Sequence, residues 1–600
     1  MNADETIREA NRLLRAGDAA GAERHLIAVW PDPRAAPGGA LHVLGLIRRA
    51  QNRVLDGERF FRRAIAAEPG VARHHFALGE LLASVSVYEH AAAAFAEAAR
   101  LEVTFPHALR RWAECALQAG LASDAERAAR MLLTAGPSAE SWDFLSRALR
   151  AQDKLEEALA AADAALKLDP ASNAAAHSRA TVLARLGRNE EALTDLDKLR
   201  ARGVDAPAIA FGRGTSLFNL ARAADAEAVF AEGVRRWPLD PNLQNALANA
   251  RWMRGDGEAF TRDFEAAVAG VAKNTQLRVM CADLLRRANF RTRSEALLRD
   301  GLRQSPEDVG LLASLGVLLD EMDRTEEGLP LLQQAAVRAP SLNPIRANLA
   351  CALMRLNRGE EALAEIEASR RAQPLNQEWI CYEAMALRQL GRPRYRELCD
   401  YDAMVRPYDV EPPPGFATIA AFNEALAASL AKLHVLEAHP LDQSLRGGSQ
   451  TSRSLIYVDD PIIRAYRDAL VQPIGAYIDA LGPPDPNHPL SGRKRDGFRL
   501  AGAWSVKLRG NGYHINHVHP AGWISSAYYV ALPKAVQQGR DQQGWIKFGE
   551  PRWPTPGCGI EKVVQPKEGR LVLFPSYMWH GTIPFAEGER LTAPFDAVPA

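Results

Sequence analysis

The sequence lacks paired cysteines, a surplus of charge of either sign, and any long apolar run. Its six cysteines are scattered over 600 residues with no Cys-x-x-Cys pair, which argues against a disulfide framework or a zinc knuckle and favours reduced thiols. Lysine plus arginine and aspartate plus glutamate each total 73, so net charge favours neither nucleic acid nor an anionic membrane as a partner. No stretch approaches about 18 uncharged apolar residues, and no signal peptide is visible. We therefore expect a cytoplasmic protein that binds neither nucleic acid nor a membrane.

Proline recurs through the first two thirds of the chain near the tetratricopeptide period of about 34 residues, as at Pro306, Pro340 and Pro374. Within a period, small residues stand where two helices cross closely, larger residues fill the gap beside them, and proline ends the second helix. This pattern resembles the tetratricopeptide repeat family over residues 5–395, in about eleven units.

Stacked helix pairs of this kind form a superhelix with a concave groove. We interpret the groove as a binding site for a protein or peptide. A spacer or a dimerisation surface is the alternative, and the sequence leaves the oligomeric state open.

The texture of the sequence changes after the repeats. A proline-rich junction at 410–415 precedes two predicted helices, Ile419–His434 and Pro461–Leu481. From Phe498 onward, short aromatic or β-branched runs alternate with glycine, proline and asparagine, which predicts strands of a compact barrel or double-sheet jelly roll. We therefore predict a multidomain chain: an all-α tetratricopeptide superhelix over 1–395, then a jelly-roll domain with flanking helices over 396–600.

Three histidines form the candidate metal site. His517 and His519 are one residue apart in a segment predicted to be extended, so their side chains point to the same face. His580, from a distant strand, would complete a facial set of three ligands. His514 has the opposite strand parity and is expected to support the site or to lie at the surface. The alternative for the His517–His519 pair is a satisfied polar patch at a strand end.

Arg590 is the candidate anchor for an acidic cosubstrate. The sequence Ala586-Glu587-Gly588 is typical of a turn, and a hairpin there would return the chain from His580 to Arg590. A guanidinium can bind a carboxylate through a bidentate fork. Three protein ligands, open coordination positions and a neighbouring arginine are together typical of a non-haem iron oxygenase.

Five segments between about residues 400 and 600 resemble, in order, the 2-oxoglutarate/Fe(II) oxygenase family related to prolyl hydroxylases; they are 439–451, 512–520, 526–530, 569–576 and 589–592. The resemblance implies a double-stranded β-helix core with Fe(II) bound at His517, His519 and His580, which would be the catalytic residues. It also implies 2-oxoglutarate bound by Arg590, with the Thr592 hydroxyl as a second donor.

Tyr528 and Tyr529 follow the histidine pair, and by strand alternation one of them faces the interior of the barrel. An inward tyrosine would either hydrogen-bond the cosubstrate or simply fill the core, and the sequence supports these two roles equally. Taking the first role, we assign Tyr528 to the cosubstrate site.

The sequence departs from the wider family pattern, His-x-Asp/Glu…His, because His519 occupies the position of the carboxylate. A neutral imidazole leaves a bound ion more positive and can change the metal preference. Zinc and nickel therefore stay open beside iron.

The predicted function is that of a Fe(II)/2-oxoglutarate-dependent dioxygenase, a hydroxylase acting on a protein or peptide that the concave face of the repeat array recruits. Its cofactors would be Fe(II) and 2-oxoglutarate, with ascorbate as an optional reductant and O2 as the oxidant. The alternative is a non-enzymatic adaptor, in which the repeats are a scaffold and the C-terminal module is a metal-binding, cupin-like domain. That module would not require Arg590.

Overall fold

The computed structural model describes residues 2–102, 105–271, 273–435, 439–441, 443–451, 454–539 and 541–600. Asp442, within the first of the segments that carry the family resemblance, lies outside the described residues. The chain divides into two compact units, Met1–Asp205 and Ala206–Ala600. Every helix in the described ranges is too short or too polar to cross a membrane.

The first unit is a succession of helices of 11 to 14 residues that pack against their neighbours in the chain. Small and large residues face each other where helices cross. A Cβ added at Gly79 would lie 2.8 Å from the ring of Phe95 on the next helix, so only glycine allows this close approach. The helices are α1 Ala3–Arg15, α2 Ala19–Val29, α3 Gly38–Ala50, α4 Val54–Ala67, α5 Ala72–Ser84, α6 Tyr88–Leu101, α7 Pro106–Gln118, α8 Ala122–Ala135, α9 Ala139–Ala151, α10 Leu155–Leu168, α11 Asn173–Arg185 and α12 Asn189–Ala201.

The second unit begins with further helix pairs of the same kind. Gly214 and Phe230 repeat the glycine–phenylalanine contact of the first unit. The pattern is interrupted near Gly257, where a 3-10 turn precedes a helix of only nine residues. The repeat helices are α13 Pro207–Asn219, α14 Ala223–Arg236, α15 Pro241–Met253, α16 Arg262–Gly270, α17 Thr275–Arg287, α18 Arg291–Gln304, α19 Val309–Glu321, α20 Thr325–Arg338, α21 Asn343–Arg355, α22 Gly359–Ala372 and α23 Gln377–Gln389.

The C-terminal part of this unit consists of antiparallel strands with flanking helices. The helices are α24 Arg394–Leu398, α25 Tyr401–Met404, α26 Ile419–Ala431, α27 Pro461–Ala469, α28 Val471–Ala480 and α29 Lys534–Gln538. The strands are β1 Arg406–Asp409, β2 Leu445–Gln450, β3 Phe498–Ala503, β4 Val506–His514, β5 Ile524–Ala531, β6 Ile546–Phe548, β7 Lys562–Val564, β8 Arg570–Pro575, β9 His580–Thr582, β10 Arg590–Thr592 and β11 Phe595–Pro599. The single helix expected over Pro461–Leu481 is two helices that meet at Leu470.

The strands form two antiparallel sheets. The larger has the order β1-β8-β5-β10-β4-β2, with β11 pairing with both β3 and β5, and the smaller has the order β7-β6-β9. Helical repeats followed by an antiparallel domain of this kind, consistent with a jelly roll, confirm the predicted fold class.

The last repeats and the strand domain share one apolar core. Buried side chains from Leu312 on α19 to Ala597 on β11 belong to a single contiguous cluster. The Arg388 guanidinium on α23 donates to the carbonyl oxygens of Gly549 and Gly559 at 2.8 and 2.9 Å and forms an ion pair with Glu561 at 3.0 Å. The first strand therefore begins near residue 406, and the apolar core is continuous across this change from helices to strands. The domain boundary at 395/396 stays a prediction.

Candidate active site

The side chains of His517, His519 and His580 converge. One ring nitrogen of each lies within 4.8 Å of those of the other two, and the Nε2 atoms of His517 and His519 are 3.1 Å apart. Imidazole nitrogens that bind one ion at about 2.1 Å are themselves about 3 Å apart when their bonds meet at a right angle. The spacing of this pair is therefore that of two ligands of one metal ion.

The hydrogen bonds on the far side of each ring determine which nitrogen is free. The Nδ1 atoms of His517 and His580 lie 2.8 and 2.9 Å from the carbonyl oxygens of Ile515 and Met578. A carbonyl oxygen only accepts hydrogen bonds, so both Nδ1 atoms carry the proton and both Nε2 atoms carry a lone pair.

The same tautomer holds for His519, whose Nδ1 donates to the Asp596 carboxylate at 2.7 Å. The Nε2 lone pairs of His517 and His519 thus face each other across 3.1 Å. Two such lone pairs repel, and a cation that both of them bind removes the repulsion. These residues therefore fit a metal ion.

Burial keeps the rings of His517 and His580 uncharged and ready to bind a metal. Burial, reinforced by the neighbouring His519 ring, lowers the pKa of His517 to about 3. Burial followed by the His517 and His519 rings also lowers the pKa of His580 well below its usual value. Neutral imidazole is the form that binds metal ions, so these two rings need not lose a proton at neutral pH.

The histidine pair does not lie in a regular strand, contrary to expectation. Residues 515–520 connect β4 and β5 outside any named strand, with a bend at Asn516 and a turn beginning at Pro520, and an isolated antiparallel bridge joins His517 to His580. The backbone N–H of each donates to the carbonyl oxygen of the other, at 2.9 and 3.1 Å. The His519 N–H donates to the Ser576 carbonyl oxygen at 2.9 Å. Pairing with the residues around His580, rather than a sheet of its own, aligns the two side chains.

Asp596 supports the site and was not identified from the sequence. One carboxylate oxygen accepts from His519, and the other accepts from the Ser525 hydroxyl at 2.7 Å. Ser525 is in turn 2.9 Å from the Ser576 hydroxyl. A carboxylate behind a ligand histidine fixes its ring orientation and makes the ligand more basic. The ligand set thus contains no carboxylate, but a negative charge is hydrogen-bonded to one of its members, His519.

We expect Asp596→Asn to weaken metal binding without preventing it. The amide oxygen can still accept a hydrogen bond, but it does not increase the basicity of His519, so affinity for Mn(II) should fall about 10- to 100-fold. Titration calorimetry with Mn(II) measures this change. Asp541→Asn, at an exposed carboxylate outside the site, is the matched control. Unchanged affinity in Asp596→Asn would contradict a role for the carboxylate at the metal site.

His514 lies beside the cluster but outside the ligand set. Its Nδ1 is 3.0 Å from the Ser444 hydroxyl oxygen, which is 3.2 Å from Nε2 of His517. Burial lowers the pKa of His514 well below its usual value. The expectation that this residue supports the site agrees with its position better than the surface alternative does.

Arg590 lies on β10, in the wall of the same cavity as the three histidines. Its side chain is buried, with the residue 2% exposed, and burial lowers the pKa of its guanidinium. Its Nε has no hydrogen-bond partner, and no carboxylate within the described ranges forms an ion pair with it. An unpaired buried guanidinium is costly, so this position is suited to a ligand that brings a carboxylate.

The expected hairpin between His580 and Arg590 is wrong, although both residues reach the same cavity. A turn does occur near Gly588, whose φ is +87°. However, β9 pairs with β6 in the small sheet, whereas β10 pairs with β4 and β5 in the large sheet. The two residues thus line one cavity although their strands belong to different sheets and do not pair.

Tyr529, not Tyr528, lies against Arg590. The Arg590 guanidinium carbon is 5.1 Å from the centre of the Tyr529 ring, and the buried Tyr529 hydroxyl has no hydrogen-bond partner among the described residues. The Tyr528 hydroxyl instead donates to the Asn423 side chain at 2.7 Å, and its ring packs on Tyr466. The assignment of Tyr528 to the cosubstrate is therefore corrected: its side chain fills the opposite face of β5.

Thr592 lines the cavity two residues after Arg590 and is buried. Its hydroxyl lies 3.5 Å from the Val506 carbonyl oxygen, a separation at the limit of a hydrogen bond. The hydroxyl is thus only weakly engaged and can turn toward a ligand.

The cavity has a volume of about 470 Å³. It is lined by the three histidines, Arg590 and Thr592, and also by four arginines that sequence reasoning left without a firm role: Arg286, Arg287, Arg446 and Arg552. Two of these belong to helix α17 of the repeats. The repeats of the second unit therefore form part of the wall of the candidate active site.

Family comparisons agree with both halves of this description. Residues 502–596 match the family described as "Putative 2OG-Fe(II) oxygenase". Residues 145–207 and 211–274 match a tetratricopeptide repeat family. The chain thus carries a tetratricopeptide region and a domain of this oxygenase family, which confirms both resemblances. No curated protein matches the chain.

Solved structures that resemble the chain include other repeat proteins. A tetratricopeptide repeat protein from Parabacteroides merdae is 16% identical, with 41% of this chain and 97% of that chain covered and a TM-score of 0.32. A thermophilic tetratricopeptide protein of Thermus thermophilus is 24% identical, with 30% and 100% covered and a TM-score of 0.27. The Naa15/Naa10 complex bound to HypK is 15% identical, with 65% and 73% covered and a TM-score of 0.29. These likenesses are too distant to assign a function.

Proposed function

We propose that the protein is a Fe(II)/2-oxoglutarate-dependent dioxygenase that hydroxylates a protein or peptide. The observation that carries the proposal is the pairing of two features in one cavity. Three imidazole rings bring one nitrogen each within 4.8 Å of those of the other two, and a buried guanidinium without a carboxylate partner among the described residues lies in the same wall. The first feature suits a metal ion and the second suits the far carboxylate of a diacid.

Fe(II) and 2-oxoglutarate, when bound, supply the oxidising chemistry, in which O2 is consumed, 2-oxoglutarate becomes succinate and CO2, and a C–H bond becomes C–OH. His517, His519 and His580 would hold the ion through their Nε2 atoms, because each Nδ1 keeps its proton and donates it to the acceptor behind the ring. Asp596 keeps the proton at Nδ1 of His519, which fixes the ring in its binding orientation.

Arg590 binds the distal carboxylate of 2-oxoglutarate and thereby orients the keto acid toward the histidines. The Tyr529 hydroxyl, buried beside the guanidinium, and the Thr592 hydroxyl can supply further donors. Aromatic rings pack against the histidines: the Phe574 ring lies 4.5 Å from that of His580, and Trp504 stacks on His519 at 5.9 Å. These contacts hold the two imidazole rings in place.

A protein or peptide substrate is supported by the position of the repeats. Helix α17 contributes two arginines to the cavity wall, and α23 is hydrogen-bonded to the strand domain through Arg388. A polypeptide bound on these helices would lie next to the metal site. A small free substrate would give no reason for the repeats to reach it.

A coupled binding and turnover measurement tests the proposal. Mn(II) with 2-oxoglutarate should raise the melting temperature of the full chain more than Mn(II) alone. With Fe(II), O2 and labelled 2-oxoglutarate, slow formation of labelled succinate is expected even without substrate. The adaptor alternative predicts neither result, because a scaffold has no use for a diacid. Absence of both would overturn the proposal.

A further inference from the structure

A second cavity, of about 370 Å³, lies beside the candidate active site. Its walls come mainly from α17, α19, α21 and α23, the first helices of successive repeats, together with α18 and α20 and with residues 552, 553 and 579 of the strand domain. We call this cavity the repeat groove. The first helices of stacked repeats form the concave face, so the repeat groove is the part of that face that the strand domain closes on one side.

The repeat groove and the active-site cavity meet. Arg286 and Arg552 line both of them. Trp579 lines the repeat groove, whereas the next residue, His580, lines the active-site cavity. A polypeptide bound along the repeat groove would thus reach His580, and the side chains of that polypeptide would lie within reach of the three histidines.

The groove contains buried donors without partners. The indole Nε1 of Trp579 and the Nε of Arg552 are buried and have no hydrogen-bond partner among the described residues. Unsatisfied buried donors are costly, and an extended peptide offers carbonyl oxygens that would satisfy them. Tyr382 of α23 packs near Trp579, with ring centres 6.4 Å apart, which holds the indole at the junction.

The junction itself is basic. Arg286, Arg287, Arg446 and Arg552, which we call the arginine cluster, line the active-site cavity together. Asp283 and Glu321 are the carboxylates that pair with them in the described part of the chain: Arg286 pairs with both, Arg287 with Asp283 at 2.7 Å, and Arg552 with Glu321 at 3.9 Å. Four guanidinium groups therefore share two carboxylates.

Arg446 is the least neutralised member of the arginine cluster. Its Nη1 donates to the carbonyl oxygens of Gln443 and Leu445 at 2.8 and 2.7 Å, and it forms no ion pair within the described ranges. Burial and then the charge of Arg552 lower its pKa, as expected where like charges lie close together in a partly buried place. Arg590 and Asp596 also line the active-site cavity, but they carry opposite charges and together leave this balance unchanged.

We propose that the substrate is a polypeptide bound along the repeat groove, with an acidic side chain held by the arginine cluster beside the residue presented to the metal site. This inference rests on the proposed function for the meaning of the metal site, but the recognition of the acidic side chain can be measured without catalysis. Charge-assisted hydrogen bonds from a partly buried guanidinium select a carboxylate over an amide of the same shape.

Fluorescein-labelled dodecapeptide pools test the proposal. Each pool has a fixed central residue, Asp, Asn or Lys, and mixed uncharged residues elsewhere. Binding to the full chain with Mn(II) and 2-oxoglutarate, without O2, is followed by fluorescence anisotropy. The Asp pool should bind at least about tenfold more tightly than the Asn pool, as expected for a hydrogen bond to a charged group, and the Lys pool should bind most weakly.

Arg446→Gln and Arg552→Gln should each remove most of the preference for Asp, and Arg446→Lys should keep part of it. Arg446 is the safer of the two positions, because Arg552→Gln also leaves the buried Glu321 with one partner fewer. The matched control is Arg464→Gln, at an exposed arginine on α27 paired with Asp459, which should bind the pools like the unaltered protein.

Equal binding of the Asp and Asn pools, a preference for Lys, failure of all pools to bind, or an Asp preference that survives in both Gln variants would each overturn the inference. The melting temperature with Mn(II), with and without 2-oxoglutarate, is measured on the same samples. If 2-oxoglutarate has its effect but the pools are not distinguished, only the acidic-substrate inference fails. If 2-oxoglutarate has no effect, the proposed function fails, whatever the peptides do.

Discussion

Arg590→Met is expected to abolish the response to 2-oxoglutarate while leaving the protein at least as stable as before. Methionine is long, flexible and apolar, and it replaces a guanidinium that is 2% exposed and has no carboxylate partner in the described part of the chain. Removing an unpaired buried charge relieves its desolvation cost. Losing a buried carboxylate–guanidinium contact costs about 3–4 kcal/mol, so kcat/KM for 2-oxoglutarate should fall about 100- to 1000-fold.

Two measurements separate this result from general damage. The melting temperature without ligand should be unchanged or raised, and the increase that 2-oxoglutarate causes in the presence of Mn(II) should disappear. Arg570→Met is the matched control, because Arg570 lies on β8 of the same large sheet and pairs with Asp409 near the surface. That variant should keep the response to 2-oxoglutarate. A normal response in Arg590→Met would remove the basis for placing the diacid at this residue.

His580→Ala should eliminate metal-dependent activity. It removes one of three nitrogen ligands, and its loss should exceed the roughly 10- to 100-fold loss of metal affinity typical of residues that only support a ligand. We expect Mn(II), at concentrations that saturate the unaltered protein, to give no thermal shift. Succinate formation should fall to the level of the uncatalysed reaction.

The control for this variant is a half-buried histidine elsewhere in the same domain. His434 lies 2.9 and 3.0 Å from the hydroxyl oxygens of Ser449 and Ser505, outside the metal cluster. His434→Ala should lower the melting temperature but keep the thermal shift with Mn(II). Succinate formation that persists in His580→Ala would exclude the proposed ligand set.

The order and spacing of residues were enough to predict the fold class and to select five residues that share the cavity: His517, His519, His580, Arg590 and Thr592. His517 and His519 were found through alternation along an extended chain, and this period applies even though the segment is not part of a regular strand. Asp596 could not be found in this way, because it is 77 residues from His519 and nothing local marks a carboxylate that will lie behind that ring.

Two errors in the sequence-based predictions have a common physical cause. Strand parity places Tyr528 and Tyr529 on opposite faces of β5, but both are fully buried, so hydrophobic character does not reveal which face is the site. A turn near Gly588 also does not show whether the strands on either side of it, β9 and β10, pair with each other or belong to different sheets. Both outcomes depend on how two sheets and a helix layer pack, and this packing is a property of distant pairs of residues.

The position of the α17 arginines in the cavity wall could not be predicted from the sequence, for the same reason. Arg286 and Arg287 look like ordinary charged residues at the end of a repeat helix, where basic side chains are common. Their importance depends on the loop containing Arg552, which reaches them from 265 residues away in the chain. The repeat pattern predicts the helix but not what faces it.

The uninterrupted apolar cluster from α19 to β11 has a practical consequence for anyone who wishes to divide the molecule. A shortened polypeptide starting at residue 396 would expose apolar side chains of the strand domain that share a core with the repeats, such as Trp579, against which Tyr382 of α23 packs. Large newly exposed apolar surfaces promote aggregation. Cutting near residue 206, where the compact units divide, would keep that surface covered and retain α17 with its two arginines.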